Sequence, residues 1–225
     1  MENEVIEFYK EKHFELEQFL TAVLTFFDRH PRLNAGPLPV IHSLKSRFKD
    51  PDHLKDKIKR KTADGVIIKK DNLFEEVTDL IGVRVLHLYQ DQYSIIHEEI
   101  NKKVSGGDWK FVEPPKAYTW DPESEQHYHE LGIHTELRDT YYTSVHYIIK
   151  PHNNNPVPVC CEIQVRTLFE EIWGEIDHTI NYPHPTNSIA CKEQLRVLSK
   201  LVSTGTRLAD SIFRSLKEAN IKNTN

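Results

Sequence analysis

The stretch Cys161-Glu162-Ile163-Gln164-Val165-Arg166-Thr167 alternates apolar and polar residues and runs straight into a different pattern, with apolar side chains at Leu168, Phe169, Ile172, Trp173 and Ile176. A period of two marks a strand with one covered face, and a spacing of three to four marks an amphipathic helix. On such a strand Cys161, Ile163 and Val165 share the face that can pack under a sheet. Glu162, Gln164 and Arg166 share the other, about 6–7 Å apart. That open face presents a carboxylate, an amide and a guanidinium in a row. A carboxylate so placed can hold a metal ion or take a proton from a hydroxyl, and a guanidinium beside it can hold phosphate oxygens. The plainer reading is a half-exposed edge strand with a polar face.

Two further stretches read as strands of the same sheet. Asp79-Leu80-Ile81-Gly82-Val83-Arg84-Val85-Leu86-His87-Leu88 is β-branched and almost continuously apolar, as expected of a buried central strand. Gly82 within it points to a bulge or to close approach by another group. Arg84 needs a partner or a ligand; an internal salt bridge to Asp79 is one solution. Tyr142 to Ile149 alternates as well, with Tyr142, Ser144 and His146 on one face. Asn153-Asn154-Asn155-Pro156 reads as a turn, which returns the chain antiparallel into Val157–Arg166. That hairpin sets Tyr142 and His146 on the sheet that bears Glu162 and Gln164.

Between these strands the chain reads mostly as helix and loop. Apolar positions from Ile6 to Phe27 predict one amphipathic helix over 4–29, closed by Pro31 and followed by a loop at Asn34–Pro37. Residues 44–61 are densely basic, with Arg47 and Lys49 on an extended segment and Lys57 on a helix that Asp50 caps and Pro51 opens. Such a run is commonly a solvated face, but clustered like charges repel unless an anion joins them. A short helical turn is expected at Leu73–Val77, a helix at 91–104 and a strand at Trp109–Val112. Residues 113–139, polar and rich in turn formers, read as one long loop with the character of a mobile lid. Its His127, His129 and His134 lack the cysteine or glycine framework of a structural zinc site. A last helix over 190–219, with Leu195, Leu198, Leu201, Val202, Leu208, Ile212, Phe213 and Leu216, suits core packing or self-association.

Composition narrows the classes. At 225 residues with 38% apolar and 28% charged, the chain can bury a real core. No run approaches the length of a membrane span, and the acidic start Met1-Glu2-Asn3-Glu4 has no secretory character. Three cysteines, two of them adjacent, make no disulfide framework and fit a cytoplasmic protein with reduced thiols. The net charge of −5 argues against a surface that coats nucleic acid.

Asp79 and Glu162, from separate strands, could share a Mg²⁺ ion with basic groups around them. This is the layout of phosphoryl or nucleotidyl transfer, in which carboxylates hold the ion, cations hold phosphate oxygens, and aromatic or guanidinium planes hold bases.

The motifs Arg47-x-Lys49 with Lys57, Asp79-Leu-Ile-Gly82-Val-Arg84, Tyr142-x-Ser144-x-His146 and Glu162-x-Gln164-x-Arg166-Thr167 followed by Trp173 and His178 stand in one order over roughly residues 40–180. In that order they resemble the synthetase domain of the RelA/SpoT family of alarmone pyrophosphokinases. The resemblance implies an α+β, nucleotidyltransferase-like fold: a mixed sheet of about five strands flanked by helices, with helical extensions at both ends. It divides the chain into an N-terminal helical segment (1–37), a synthetase domain (38–182) and a C-terminal helical extension (183–225), as a small stand-alone synthetase. It further implies that the β,γ-pyrophosphate of ATP moves to the 3′-hydroxyl of GTP or GDP, releasing AMP. Arg47 and Arg84 would sandwich the adenine, and Lys49 and Lys57 would bind ATP phosphates. Asp79 and Glu162 would hold Mg²⁺, with Glu162 also the general base. Tyr142 would stack on the acceptor base. His146, Gln164, Arg138 and Arg166 would contact the rest of the acceptor.

One departure is visible: Thr140-Tyr141 stand where such synthetases commonly carry Asn-Gly before the stacking tyrosine. Acceptor identity is therefore the open point. The alternatives are the 3′-CCA end of tRNA, as in toxin-type relatives, an adenosine nucleotide, or a catalytically dead fold used as a binding module. The terminal helices are candidate surfaces for a second copy or an antitoxin partner.

Overall fold

The computed structural model describes residues 2–152, 159–182 and 184–224, the last three by backbone alone. The helices are α1 (Glu2–Glu11), α2 (His13–Arg29), α3 (Pro31–Asn34), α4 (Pro51–Ala63), α5 (Leu73–Glu76), α6 (Tyr93–Ser105), α7 (Pro122–Glu130), α8 (Leu168–Asn181) and α9 (Ile189–Thr224). The strands are β1 (Ser43–Phe48), β2 (Ile81–His87), β3 (Trp109–Phe111), β4 (Lys116–Thr119), β5 (His134–Leu137), β6 (Ser144–Pro151) and β7 (Cys161–Thr167).

All seven strands join one mixed sheet in the order β1-β2-β7-β6-β4-β5, and β3 pairs with the far end of β6. β2 and β7 run parallel, while β1 and β6 are antiparallel to their neighbours. Cys161, Ile163 and Val165 of β7 lie with Val83 and Val85 of β2, Val145 and Tyr147 of β6, and Leu16, Leu20, Val23 and Phe27 of α2 in one buried cluster. Burying each such aliphatic side chain contributes about 1.5–3 kcal/mol. That apolar face is what fixes which way Glu162 and Gln164 point.

The α+β class and the mixed sheet agree with the sequence reading; four details differ. The sheet has seven strands rather than about five, because residues 113–139 are not a loop but β4, α7 and β5. The long N-terminal helix is broken at Lys12 into α1 and α2. Tyr9 of α1 donates its hydroxyl to the Lys49 carbonyl at 2.8 Å, tying this helix to the end of β1. The apolar stripe read on α8 packs only in part: Trp173 is buried, but Phe169, Ile172 and Ile176 are 37%, 54% and 38% exposed, whereas Glu171 is buried. In α9 the packed edge is Leu195, Ser199, Thr206 and Asp210, and Val197, Leu201, Leu208, Ile212 and Leu216 face outward. The expected turn at 153–156 lies outside the described residues, but β6 and β7 pair antiparallel as that hairpin requires.

Candidate active site

Strand register assembles the site. Arg47, Gly82 and Glu162 lie side by side across β1, β2 and β7. One step along, Lys45, Arg84, Gln164 and His146 form a second row across β1, β2, β7 and β6. Residues paired across strands, and those two apart along them, share a face, so both rows look out on the same side. They line a cleft that includes Lys45, Arg47, Gly82, Arg84, Glu162 and Gln164. The close approach anticipated from the sequence at Gly82 is not found: a Cβ there would sit 3.6 Å from Arg47 Nε, an ordinary contact, beside the path by which Arg47 Nη2 comes within 3.8 Å of Glu162 Oε2.

Glu162 is half-buried and held from several sides. Gln164 Nε2 donates to its Oε2 at 2.8 Å, and His146 Nδ1 lies 3.1 Å from its Oε1. Burial pushes this carboxyl up, but the hydrogen bond and charge of His146, with help from Arg47, leave it below the usual range. It is therefore ionised at neutral pH. His146 passes the chain of contacts on, since its Nε2 is 2.9 Å from the Tyr142 hydroxyl.

Asp79, expected from the sequence to open a strand, sits instead in the turn that precedes β2. Lys49, just past β1, donates to its Oδ2 at 2.8 Å, and Lys57, on α4, donates to its Oδ1 at 2.8 Å. The N-cap of α4 is Asp50, which accepts from the backbone N–H of Asp52 and His53 and so fixes where Lys57 projects. Burial would raise the Asp79 carboxyl, yet the two lysines outweigh it and bring it down to about 2. Burial in turn holds the Lys49 ammonium below its ordinary value, against the pull of Asp79. The negative charges of Asp79 and Glu162 are close enough to act on one another.

The internal Asp79–Arg84 bridge considered from sequence does not form. Arg84 Nη1 instead reaches Glu171 Oε1 at 3.1 Å and also Glu175. Lys45 Nζ reaches the same Glu171 oxygen at 2.7 Å, and Arg166 Nη2 its other oxygen at 2.6 Å. Glu171 is thus a buried anchor for cations from three strands. Sequence reasoning missed it because a glutamate within an apolar helical pattern carries no signal of its own. Arg166 is 4% exposed and stands behind Tyr142, its guanidinium carbon 5.8 Å from the ring centre. Arg138 lies off the two rows, over the Tyr118 ring at 4.3 Å, and Tyr118 in turn meets His146 edge-on at 4.8 Å. His178 stacks on Tyr182 at 4.6 Å.

Among the described residues no three of His, Cys, Asp and Glu converge to cage a metal. Two ionised carboxylates whose charges act on one another are nevertheless a suitable donor set for Mg²⁺, which prefers one or two carboxylates with water and substrate phosphates over an all-protein cage. Asp79 and Glu162 are the residues that would hold it.

The architecture is shared with solved structures. A GTP pyrophosphokinase family protein from Streptococcus pneumoniae superposes with a TM-score of 0.70 at 17% identity, over 95% of this chain and 94% of that one. The small alarmone synthetase 1 of Bacillus subtilis gives 0.65 at 18% identity when bound to its product pppGpp, over 92% of this chain and 93% of that one. The same enzyme bound to AMPCPP gives 0.64 at 19% identity, over 94% and 95%. No curated protein sequence matches. The model of the region found in RelA / SpoT proteins matches residues 46–187, well over half of the chain and every residue of the two rows except Lys45, and the chain belongs to that family.

Proposed function

We propose that the chain is a Mg²⁺-dependent pyrophosphokinase that moves the β,γ-pyrophosphate of ATP to the 3′-hydroxyl of GTP or GDP and releases AMP. The observation that carries this reading is the placement of Glu162. It is an ionised carboxylate fixed by Arg47, Gln164 and His146, and the charge of Asp79, itself paired with Lys49 and Lys57, reaches it. Family membership and likeness to a synthetase captured with pppGpp and with AMPCPP support it.

In this reading the guanidinium planes of Arg47 and Arg84 take the adenine between them, and Glu171 and Glu175 keep Arg84 in place. Lys49 and Lys57 turn from Asp79 to the phosphates. Asp79 and Glu162 would then hold Mg²⁺, which would supply charge neutralisation at the transferring group. Tyr142 stacks on the acceptor base with Arg166 behind it. His146 and Gln164 hold acceptor sugar or phosphate, and Arg138 extends the cationic rim. Glu162 accepts the proton of the attacking hydroxyl, and His146, 3.1 Å from Glu162 Oε1, holds the carboxyl in position. Catalysis is chiefly positioning and electrostatics, as phosphoryl transfer requires.

The test is transfer of label from γ-labelled ATP with Mg²⁺ to GTP, GDP or deacylated tRNA. Label on the guanosine nucleotide is expected. Label on RNA alone would assign the tRNA 3′ end as acceptor, and label on neither would leave a nucleotide-binding module.

A further inference from the structure

Tyr141 is the one non-glycine among the described residues with a left-handed backbone, at φ 63°. A bulky side chain disfavours that conformation, which persists only where the surroundings enforce it. The surroundings here are specific. The Tyr141 ring meets Trp120 edge-to-face, with ring centres 5.3 Å apart at 75°. Both rings line a small cavity with residues of α8 and α9, and none of the cleft residues Arg47, Arg84, Glu162 and Gln164 lines it. Segment 138–143 is also closed on residue 119: the Arg138 N–H donates to the Thr119 carbonyl at 2.8 Å, and the Thr143 and Thr119 hydroxyls are 3.1 Å apart. The loop is thus tied at both ends to Thr119 and at its middle to the neighbouring Trp120.

The next residue, Tyr142, projects the other way, to His146. One backbone setting therefore sends Tyr141 toward Trp120 and Tyr142 toward His146, which contacts Glu162. A glycine at 141 would adopt this backbone freely but would bring no ring to hold it.

We infer that Tyr141 is a positioning residue: its ring, seated on Trp120, clamps the 138–143 loop so that Tyr142 is presented to the acceptor in one orientation. The acceptor half of this inference rests on the proposed pyrophosphokinase activity; the clamp does not.

The experiment compares Tyr141→Gly, Trp120→Ala and Tyr141→Phe with the full wild-type chain. Amide hydrogen exchange over residues 138–143 reports the clamp. The KM for GTP against that for ATP reports its effect. Tyr141→Gly and Trp120→Ala should exchange several-fold faster there and raise the GTP KM by about two- to twelvefold, the range an aromatic pair contributes. The ATP KM should stay in place, and Tyr141→Phe, which keeps the ring, should behave as wild type. The melting temperature of Tyr141→Gly should not fall, which separates loss of the clamp from loss of the fold. Unchanged exchange in Tyr141→Gly overturns the inference, and so does faster exchange with an unmoved GTP KM. If the wild type labels no guanosine nucleotide, the proposed activity falls instead, and hydrogen exchange alone decides whether the clamp exists.

Discussion

Asp79 offers a quantitative test, because its charge is balanced by two lysines and little else. Its carboxyl falls from an ordinary 3.8 to about 2 in the folded chain, and its side chain is 17% exposed. At roughly 1.4 kcal/mol for each tenfold in proton affinity, the gap corresponds to about 2 kcal/mol of stability. The folded-state value is the depressed one, so this stability is fully present above about pH 4. It is lost as pH falls through the folded value, and roughly half is gone by pH 3. Asp79→Asn cannot titrate and lacks this contribution throughout. Urea denaturation of both proteins from pH 3 to pH 7 isolates the group, since other carboxylates cancel in the difference. The stability gap between wild type and Asp79→Asn should widen by about 1 kcal/mol over that range. At neutral pH it should be larger still, because Lys49, only 8% exposed, is left without its counter-charge. A gap that does not change with pH would refute the Lys49–Asp79–Lys57 pairing as the source.

Three other substitutions address the chemistry. Glu162→Gln should lower the rate of transfer by on the order of 10²–10⁴ while circular dichroism and melting stay near wild type; an unchanged rate removes Glu162 from the mechanism. Tyr142→Ala should weaken acceptor binding by roughly 1–3 kcal/mol, read as the acceptor KM, with ATP affinity unmoved; no change would make this tyrosine a packing residue only. Arg84→Ala should raise the KM for ATP and leave the chain folded, because Lys45 and Arg166 remain on Glu171; loss of cooperative unfolding in that variant would make Arg84 a structural ion pair instead.

What was legible in the sequence divides along physical lines. β2, β6 and β7 announce themselves because one face of each must meet the core, and that alternation fixes the open face on which Glu162, Gln164 and His146 stand. The pairs they form are not in the pattern. That His146 meets Glu162, or that Arg84 meets Glu171, depends on strand order and register. β4 and β5 are four residues each, too short to show a period and half polar, so they vanish into a stretch that reads as loop. α7 had a usable signal. Asp121 caps it and Pro122 opens it, just as Asp50 and Pro51 do for α4, but without an apolar stripe the cap alone did not suggest a helix. The stripe of α8 buries Trp173 as its spacing implies, but three cations gather Glu171 inward and leave Phe169, Ile172 and Ile176 partly exposed, an arrangement hydrophobic spacing cannot express.

The parallel pairing of β2 with β7 also sets when this protein can begin to work. Asp79 and Glu162 are more than eighty residues apart and become neighbours only once a strand from late in the chain docks between two earlier ones. Contacts of such long separation form after local helices and hairpins. A growing chain that has emerged as far as β6 carries Arg47, Lys49, Lys57 and Arg84, the cations proposed for ATP, but not Glu162, the proposed base. On the proposed mechanism such a half-made molecule has nothing with which to activate a hydroxyl until synthesis has passed β7.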